Sequence, residues 1–149
     1  MNELKNVLVS KIYKYSDKHK VSFLAISIGL IYLWFGILKL FPGLSPAENL
    51  AGNTLSAIVF YTINQRTLLI VLALVEIFIG INLLFQKRNK LLIYLVFIHM
   101  IGTLLPLFIF PEISFTKPPF GFSIIGQYIM KNFVIISGLI IVFSKKSTK

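Results

Sequence analysis

Cysteine is absent from the 149 residues. That removes disulfide exchange, thiolate catalysis and Cys-ligated zinc or iron–sulfur clusters from the chemistry this chain can carry. Acidic side chains are scarce, five against fifteen Lys and Arg, and histidine occurs only twice. Of the two histidines, only His99 falls inside an apolar run, so bis-histidine haem ligation within one chain is not expected. No flavin motif is recognisable, and no covalently held cofactor is expected. Redox activity would need a diffusible carrier and a partner subunit.

What the chain has in quantity is apolar surface: 56% of its residues are hydrophobic and its mean hydropathy is +0.84. Four runs of membrane length stand out, at residues 21 to 41, 67 to 85, 91 to 110 and about 122 to 143. Each is long enough to cross a hydrocarbon core of about 30 Å at about 1.5 Å per residue. The expected fold is an all-α integral membrane four-helix bundle forming one domain. A polar segment precedes the first run and no small-residue cleavage pattern follows it, so that run reads as a retained helix and not a signal peptide.

The net charge of +10 invites a nucleic-acid reading, but its placement gives a topology signal instead. Lys5, Lys11, Lys14, Lys18 and Lys20 precede the first run; Lys87, Arg88 and Lys90 separate the second from the third; Lys145, Lys146 and Lys149 close the chain. Only Arg66 and Lys117 fall in the two longer loops. This alternation predicts both termini in the cytoplasm of a bacterial inner membrane, with the longer loops outside. Nucleic acid is not an expected partner. The lipid bilayer is, and a redox partner or a second copy of the chain is compatible with the sequence.

In residues 1 to 20, Leu4, Val7, Leu8, Ile12 and Tyr15 recur at helical spacing, which reads equally as an amphipathic helix on the inner leaflet or a frayed basic tail. In the first span Ser22, Ala25, Gly29, Tyr32, Gly36 and Lys39 form one stripe at spacings of three and four. Small residues on such a stripe let a neighbouring helix approach closely, so this face should look into the bundle. Lys39 is then either an inward-facing charge or a lysine snorkelling to the outer interface. Pro42 and Gly43 should end the helix. "SPAE" at 45 to 48 suggests a capping box, with Ser45 as N-cap and Glu48 folding back, opening a short helix at about Pro46 that covers the outer mouth of the bundle.

In the second span Ala73, Glu76 and Gly80 share a stripe. An ionisable group at a helix centre costs about 2.5–3.5 kcal/mol on insertion scales, while each of the fifteen apolar residues of this run contributes about 0.3–0.6 in favour. Insertion tolerates Glu76, which should face the bundle as a protonated or hydrogen-bonded carboxyl. "QKRNK" forces the second and third spans to be antiparallel neighbours, and brings His99 to the depth of Glu76. A Pro106 kink should free a carbonyl near Gly102, for which Thr103 could compensate. The fourth span opens with "GQYIMKN". Gln127 and Lys131 are four apart on one face, Asn132 points about 100° away, and Lys131 lies too deep for comfortable snorkelling.

"LWFGILKLFPGLSPAE", a mid-membrane Glu and "GQYIMKN" after a proline-containing loop resemble the DoxX-like membrane protein superfamily, in particular its YkgB-type branch. The resemblance covers about residues 28 to 140. Both lysine motifs, in order, in a four-helix protein of this length are more specific than W-x-G-x-x-K alone. It implies that Trp34, Gly36, Lys39, Glu48, Glu76, Gln127, Lys131 and Asn132 are family-type positions. It also implies association with redox enzymes or oxidative-stress responses, since founding members are subunits of a thiosulfate:quinone oxidoreductase.

The residues themselves suggest an outward-facing polar pocket. Lys39 and Lys131 would supply positive charge, Glu76 and His99 a deeper proton relay, Gln127 and Asn132 amides, and Trp34 an aromatic wall. Such a pocket suits an oxygen-bearing ring such as a quinone. The alternatives are a proton-coupled small-solute transporter using Glu76 and His99, for which the sequence offers no broken helix pair and no clear inverted repeat, and a structural subunit whose polar groups only join helices.

Overall fold

The computed structural model describes residues 2 to 144, with side chains from Val7 onward. The side chains of Leu4 and Lys5 and the basic cluster Lys145, Lys146 and Lys149 lie outside the described residues. Four stretches are long and apolar enough to cross a membrane: Val7–Lys39, Gln65–Leu84, Lys90–Ile109 and Ile124–Phe143. Large apolar side chains such as Leu30, Leu74, Ile98, Ile101 and Val134 stand more than half exposed along them. Water would penalise that surface heavily, whereas lipid accepts it. The chain is a multi-pass membrane protein built mostly of helices.

Helix α1 runs without interruption over Asn2–Lys39. Its 38 residues make about 57 Å, nearly twice the hydrocarbon thickness. Residues 2 to 20 are therefore helical and continuous with the first span. The local reason is legible: no glycine or proline lies between Ser16 and Val21, Lys20 bonds Asp17 at 2.6 Å one turn away, and the rings of Tyr15, His19 and Phe23 meet in tilted pairs at helical spacing. Pro42 and Gly43 end the helix as expected, at Lys39. Gly43 takes φ +77° with open space around its Cα, a backbone state that glycine adopts without penalty.

Helix α2 spans Glu48–Ile58 and α3 spans Gln65–Leu84, with the Asn64 side chain capping α3 by accepting from the Arg66 N–H at 2.8 Å. The expected Ser45–Glu48 capping box does not form. Ala47 occupies the cap position without a side-chain bond, and the Ser45 hydroxyl is buried with no partner among the described residues. Glu48 turns back further, to the Gly43 N–H at 2.7 Å, and lies 3.9 Å from Arg66. A free amide beside a glycine turn and a nearby guanidinium outcompete a hydroxyl three residues away.

Helix α4 (Lys90–Leu104) stops at Leu105, and α5 (Pro106–Ile109) continues the span. Pro106 brings no N–H, so the Leu105 N–H tightens onto the Gly102 carbonyl at 3.2 Å. Thr103 does not compensate there; its hydroxyl bonds the Met100 carbonyl at 2.7 Å. A short α6 (Pro111–Ser114) leads into a hairpin of β1 (Phe115–Lys117) and antiparallel β2 (Gly121–Phe122), a small departure from an all-α fold. Ser123 caps α7 (Ile124–Met130), and α8 (Asn132–Phe143) completes the fourth span after an interruption at Lys131.

The core forms where α1 meets α3 and α8, around Ala25, Ile28, Tyr32, Ile79, Leu83, Val96, Met100, Leu139 and Val142. The α1–α3 contact is close because it is made by backbone. A Cβ on Gly80 would lie 2.7 Å from the Leu33 nitrogen, and one on Gly36 would lie 3.0 Å from the Ile77 nitrogen. The predicted small-residue stripe is this interface: Ala25, Gly29, Tyr32, Gly36 and Lys39 are all buried, opposite Ala73, Glu76 and Gly80.

Candidate functional site: a buried Lys–Glu–His–Tyr chain on an apolar cavity

Lys39 is the last residue of α1, and its side chain runs back along the helix. Helical Cα–Cβ bonds tilt toward the helix N-terminus, so a lysine at a C-terminal end is aimed into the span and away from the nearer interface. Its ammonium is 3.5 Å from the Phe35 carbonyl one turn back, and meets Glu76 at 2.7 Å and 3.0 Å. Both side chains are less than a tenth exposed. Lys39 is thus a buried ion-pair partner and does not snorkel.

The second Glu76 contact reaches His99, whose Nε2 lies 3.1 Å from Oε1, and the His99 Nδ1 lies 3.1 Å from the Tyr32 hydroxyl. Opposite a carboxylate Nε2 carries the hydrogen and donates, and in the neutral ring Nδ1 then accepts from Tyr32 O–H. Four residues from α1, α3 and α4 therefore form one hydrogen-bonded chain. Burying an ion pair costs desolvation, and satisfying the remaining lone pairs is what makes it tolerable; here His99 supplies the additional donor to Glu76. Above it, Arg66 donates to the carbonyls of Lys39 and Leu40 at 3.0 and 2.5 Å, closing the free end of α1.

This chain lines one wall of a cavity of about 1180 Å³ bounded by α2, α3, α4 and α7. Leu50, Leu55, Leu72 and Leu95 are representative of its largely apolar lining. The size slightly exceeds the usual range of small-molecule sites. Among the sequence-derived candidates, Lys39, Glu76, His99, Lys131 and Asn132 all reach this cavity.

Two candidates do not. Trp34 is 66% exposed and outside the cavity, because it lies two residues, or about 200°, around the helix from both Tyr32 and Gly36. Gln127 is exposed, since the cavity-facing stripe is Ile125, Tyr128, Ile129 and Asn132, and position 127 lies on the opposite side of α7. The same stripe puts Asn132 on the cavity face, half-buried, instead of turned away. The expected arrangement of two free lysines above a deeper Glu–His pair is also revised. Lys39 belongs to the Glu–His chain and its charge is balanced there, which leaves Lys131 as the unbalanced charge.

Tyr32 and Arg66 were not singled out as site residues from sequence. For Tyr32 the signal was present, seven residues before Lys39 on the same stripe; for Arg66 none was, because its partners are backbone carbonyls. Of the two interruptions in the spans, the one at Pro106 was expected as a kink and the one at Lys131 was not. The third span breaks at Leu105–Pro106 and the fourth at Lys131, and residues at both breaks line the cavity. Helical irregularity at membrane depth is tolerated where it borders protein or a cavity, and it frequently marks binding sites. Among the described residues no group of three or more His, Cys, Asp or Glu is placed to hold a metal ion.

These features define a multi-pass membrane protein with a polar hydrogen-bonded chain on a half-open apolar cavity. Comparison with protein-family models, curated proteins and solved structures finds no match.

Proposed function

We propose that this chain is a DoxX-like, redox-associated membrane component that binds a lipophilic quinone in its cavity. The observation that carries the reading is the juxtaposition of the Lys39–Glu76–His99–Tyr32 chain with an apolar volume. A quinone has a flat apolar body and carbonyl oxygens that accept hydrogen bonds, and it partitions into the bilayer from which such a cavity fills. To hold one carbonyl, Tyr32 would turn its O–H from the His99 Nδ1 to the quinone oxygen, while Glu76 keeps the His99 Nε2–H and holds the ring in place. Full reduction of a quinone takes two electrons and two protons. The chain offers proton-exchanging side chains, and electrons would come from a partner subunit. The DoxX-like assignment rests on the two lysine motifs and the intervening Glu; of their positions, Lys39, Glu76, Lys131 and Asn132 reach the cavity.

The distribution of basic residues supports a bacterial inner-membrane location with both termini cytoplasmic and α2 at the outer face, where it would act as a lid over the cavity. Assembly with a redox partner or a second copy of the chain belongs to the same reading.

The test is quinone extraction from the detergent-purified protein, followed by titration of a short-chain ubiquinone analogue into wild type, Tyr32→Phe and His99→Gln. Near-stoichiometric native quinone, with affinity weakened about tenfold in His99→Gln, is the expected result. No extracted quinone together with no saturable binding by the wild type would refute it.

A second reading, proton-coupled transport of a small solute, draws on one observation: two interrupted spans border the same cavity. It predicts pH-dependent flux in proteoliposomes that His99→Gln abolishes.

A further inference from the structure

The polar groups of the cavity fall into two sets with different hydrogen-bond accounts. The Lys39–Glu76–His99–Tyr32 set is closed on itself and its charges balance. Lys131 is different. Its ammonium rests on the Tyr128 ring, 4.4 Å from the centroid, with no carboxylate within 4 Å and no hydrogen-bond acceptor among the described residues. Lys131 is exposed on the cavity lining, so the ring face offsets little desolvation and the three N–H donors stay open to a ligand. Asn132 beside it lines the cavity, half-buried, and its amide likewise bonds no described residue.

Position adds a second, independent argument. Lys131 sits at the interruption of the fourth span, eight residues into Ile124–Phe143. Its side chain leans toward the N-terminal end of α7, as its contact with Tyr128 three residues earlier shows. The ammonium therefore stands nearer the end of the span than its own Cα does, and Ile125, Ile129 and Ile135 line the same cavity. A cation near an interface over an apolar hollow is the complement of an amphiphile whose head is anionic and whose hydrocarbon tail enters the hollow.

We propose that Lys131, assisted by the Asn132 amide, anchors the anionic oxygen of an amphiphile, a carboxylate or phosphate on a hydrocarbon chain, whose tail occupies the cavity. This is a second polar station in the cavity and does not depend on quinone binding at the Tyr32–His99 wall. It gives the protein the capacity to select acidic lipid-like molecules from the bilayer.

The experiment is native mass spectrometry of the full chain in detergent, titrated separately with oleate, phosphatidylglycerol and phosphatidylcholine. The variants are Lys131→Gln, Lys131→Arg and, as a remote control, Lys117→Gln on the hairpin. Expected is retention of an anionic probe about tenfold over phosphatidylcholine, lost in Lys131→Gln and kept in Lys131→Arg and Lys117→Gln. Oleate alone retained identifies a carboxylate ligand, phosphatidylglycerol alone a phosphate, and both the shared chemistry. Equal retention of charged and zwitterionic probes, or a preference unchanged in Lys131→Gln, overturns the proposal. Should Lys131→Gln fail to fold, a photoactivatable fatty acid on the wild type decides. Label concentrated in residues 125 to 135 supports the site, and label spread over the lipid-facing surface overturns it. Quinone content read from the same samples reports on the Tyr32–His99 station alone, so either reading can fail without the other.

Discussion

Glu76 is held by two partners from two other helices, and the cost of removing any member depends on what it leaves behind. Glu76→Ala strands a buried ammonium and should destabilise the protein by about 3–5 kcal/mol, the usual result of breaking a buried pair from one side. The double variant Lys39→Met/Glu76→Leu strands no charge and should recover most of that loss. Thermal unfolding in detergent, followed by circular dichroism, measures both; additive losses in the double variant would mean that the pair does not interact. Tyr32→Phe removes one neutral hydrogen bond and should cost only about 0.5–1.5 kcal/mol. These residues were visible in the sequence as isolated polar groups in apolar runs. That Lys39 would pair with Glu76, and not reach for water, follows from the tilt of helical side chains toward the N-terminus together with the register in which α1 meets α3.

At the scale of elements, the α1–α3 interface depends on backbone approach at Gly80. A Cβ there would sit 2.7 Å from the Leu33 nitrogen, so the helices would have to separate. Gly80→Leu should therefore lower stability by more than the about 1–3 kcal/mol typical of overpacking, and it should displace Glu76 from Lys39. A thermal melt of Gly80→Leu beside Gly102→Leu, a glycine with open space around it, tests this; equal losses would contradict the account. The stripe of small residues announced this contact in the sequence. The capping box at Ser45 and Glu48 did not survive, because Arg66 and the Gly43 amide, remote or irregular in sequence, offered Glu48 better partners. The break at Lys131 was illegible for a related reason: no proline or glycine marks it, and it lies where α7 packs against α6, β2 and α4. Gly126 shows how tight that packing is, since a Cβ there would collide with the Ser114 carbonyl.

At the scale of the whole molecule, the proposed orientation can be read directly because the chain has no cysteine of its own. Phe60→Cys before α3 and Phe120→Cys on the hairpin, both more than four-fifths exposed in the wild type, should react with a membrane-impermeant maleimide in intact cells. Arg88→Cys, between the second and third spans, should react only after permeabilisation. The reverse pattern would invert the assigned topology and move α2 to the cytoplasmic face. Arg66 ties the upper parts of the molecule together by reaching the end of α1 and lying near Glu48 at the start of α2. Arg66→Ala should loosen α2, with faster hydrogen exchange over residues 48 to 58 and little change in α8.

The sequence by itself determined that the chain has four stretches long and apolar enough to cross a membrane, that the Ala25–Lys39 stripe faces inward, and that Glu76 and His99 sit at comparable depth. Each follows from one-dimensional periodicity, run length and residue cost in hydrocarbon. Only the tertiary structure decided which polar groups neutralise one another, that Trp34 and Gln127 turn away from the cavity while Asn132 faces it, and that Lys131 is left without a counter-charge. Those outcomes depend on the rotation and register of one helix against another, which hydrophobic patterning constrains to a face, whereas a hydrogen bond requires placement within a few tenths of an ångström.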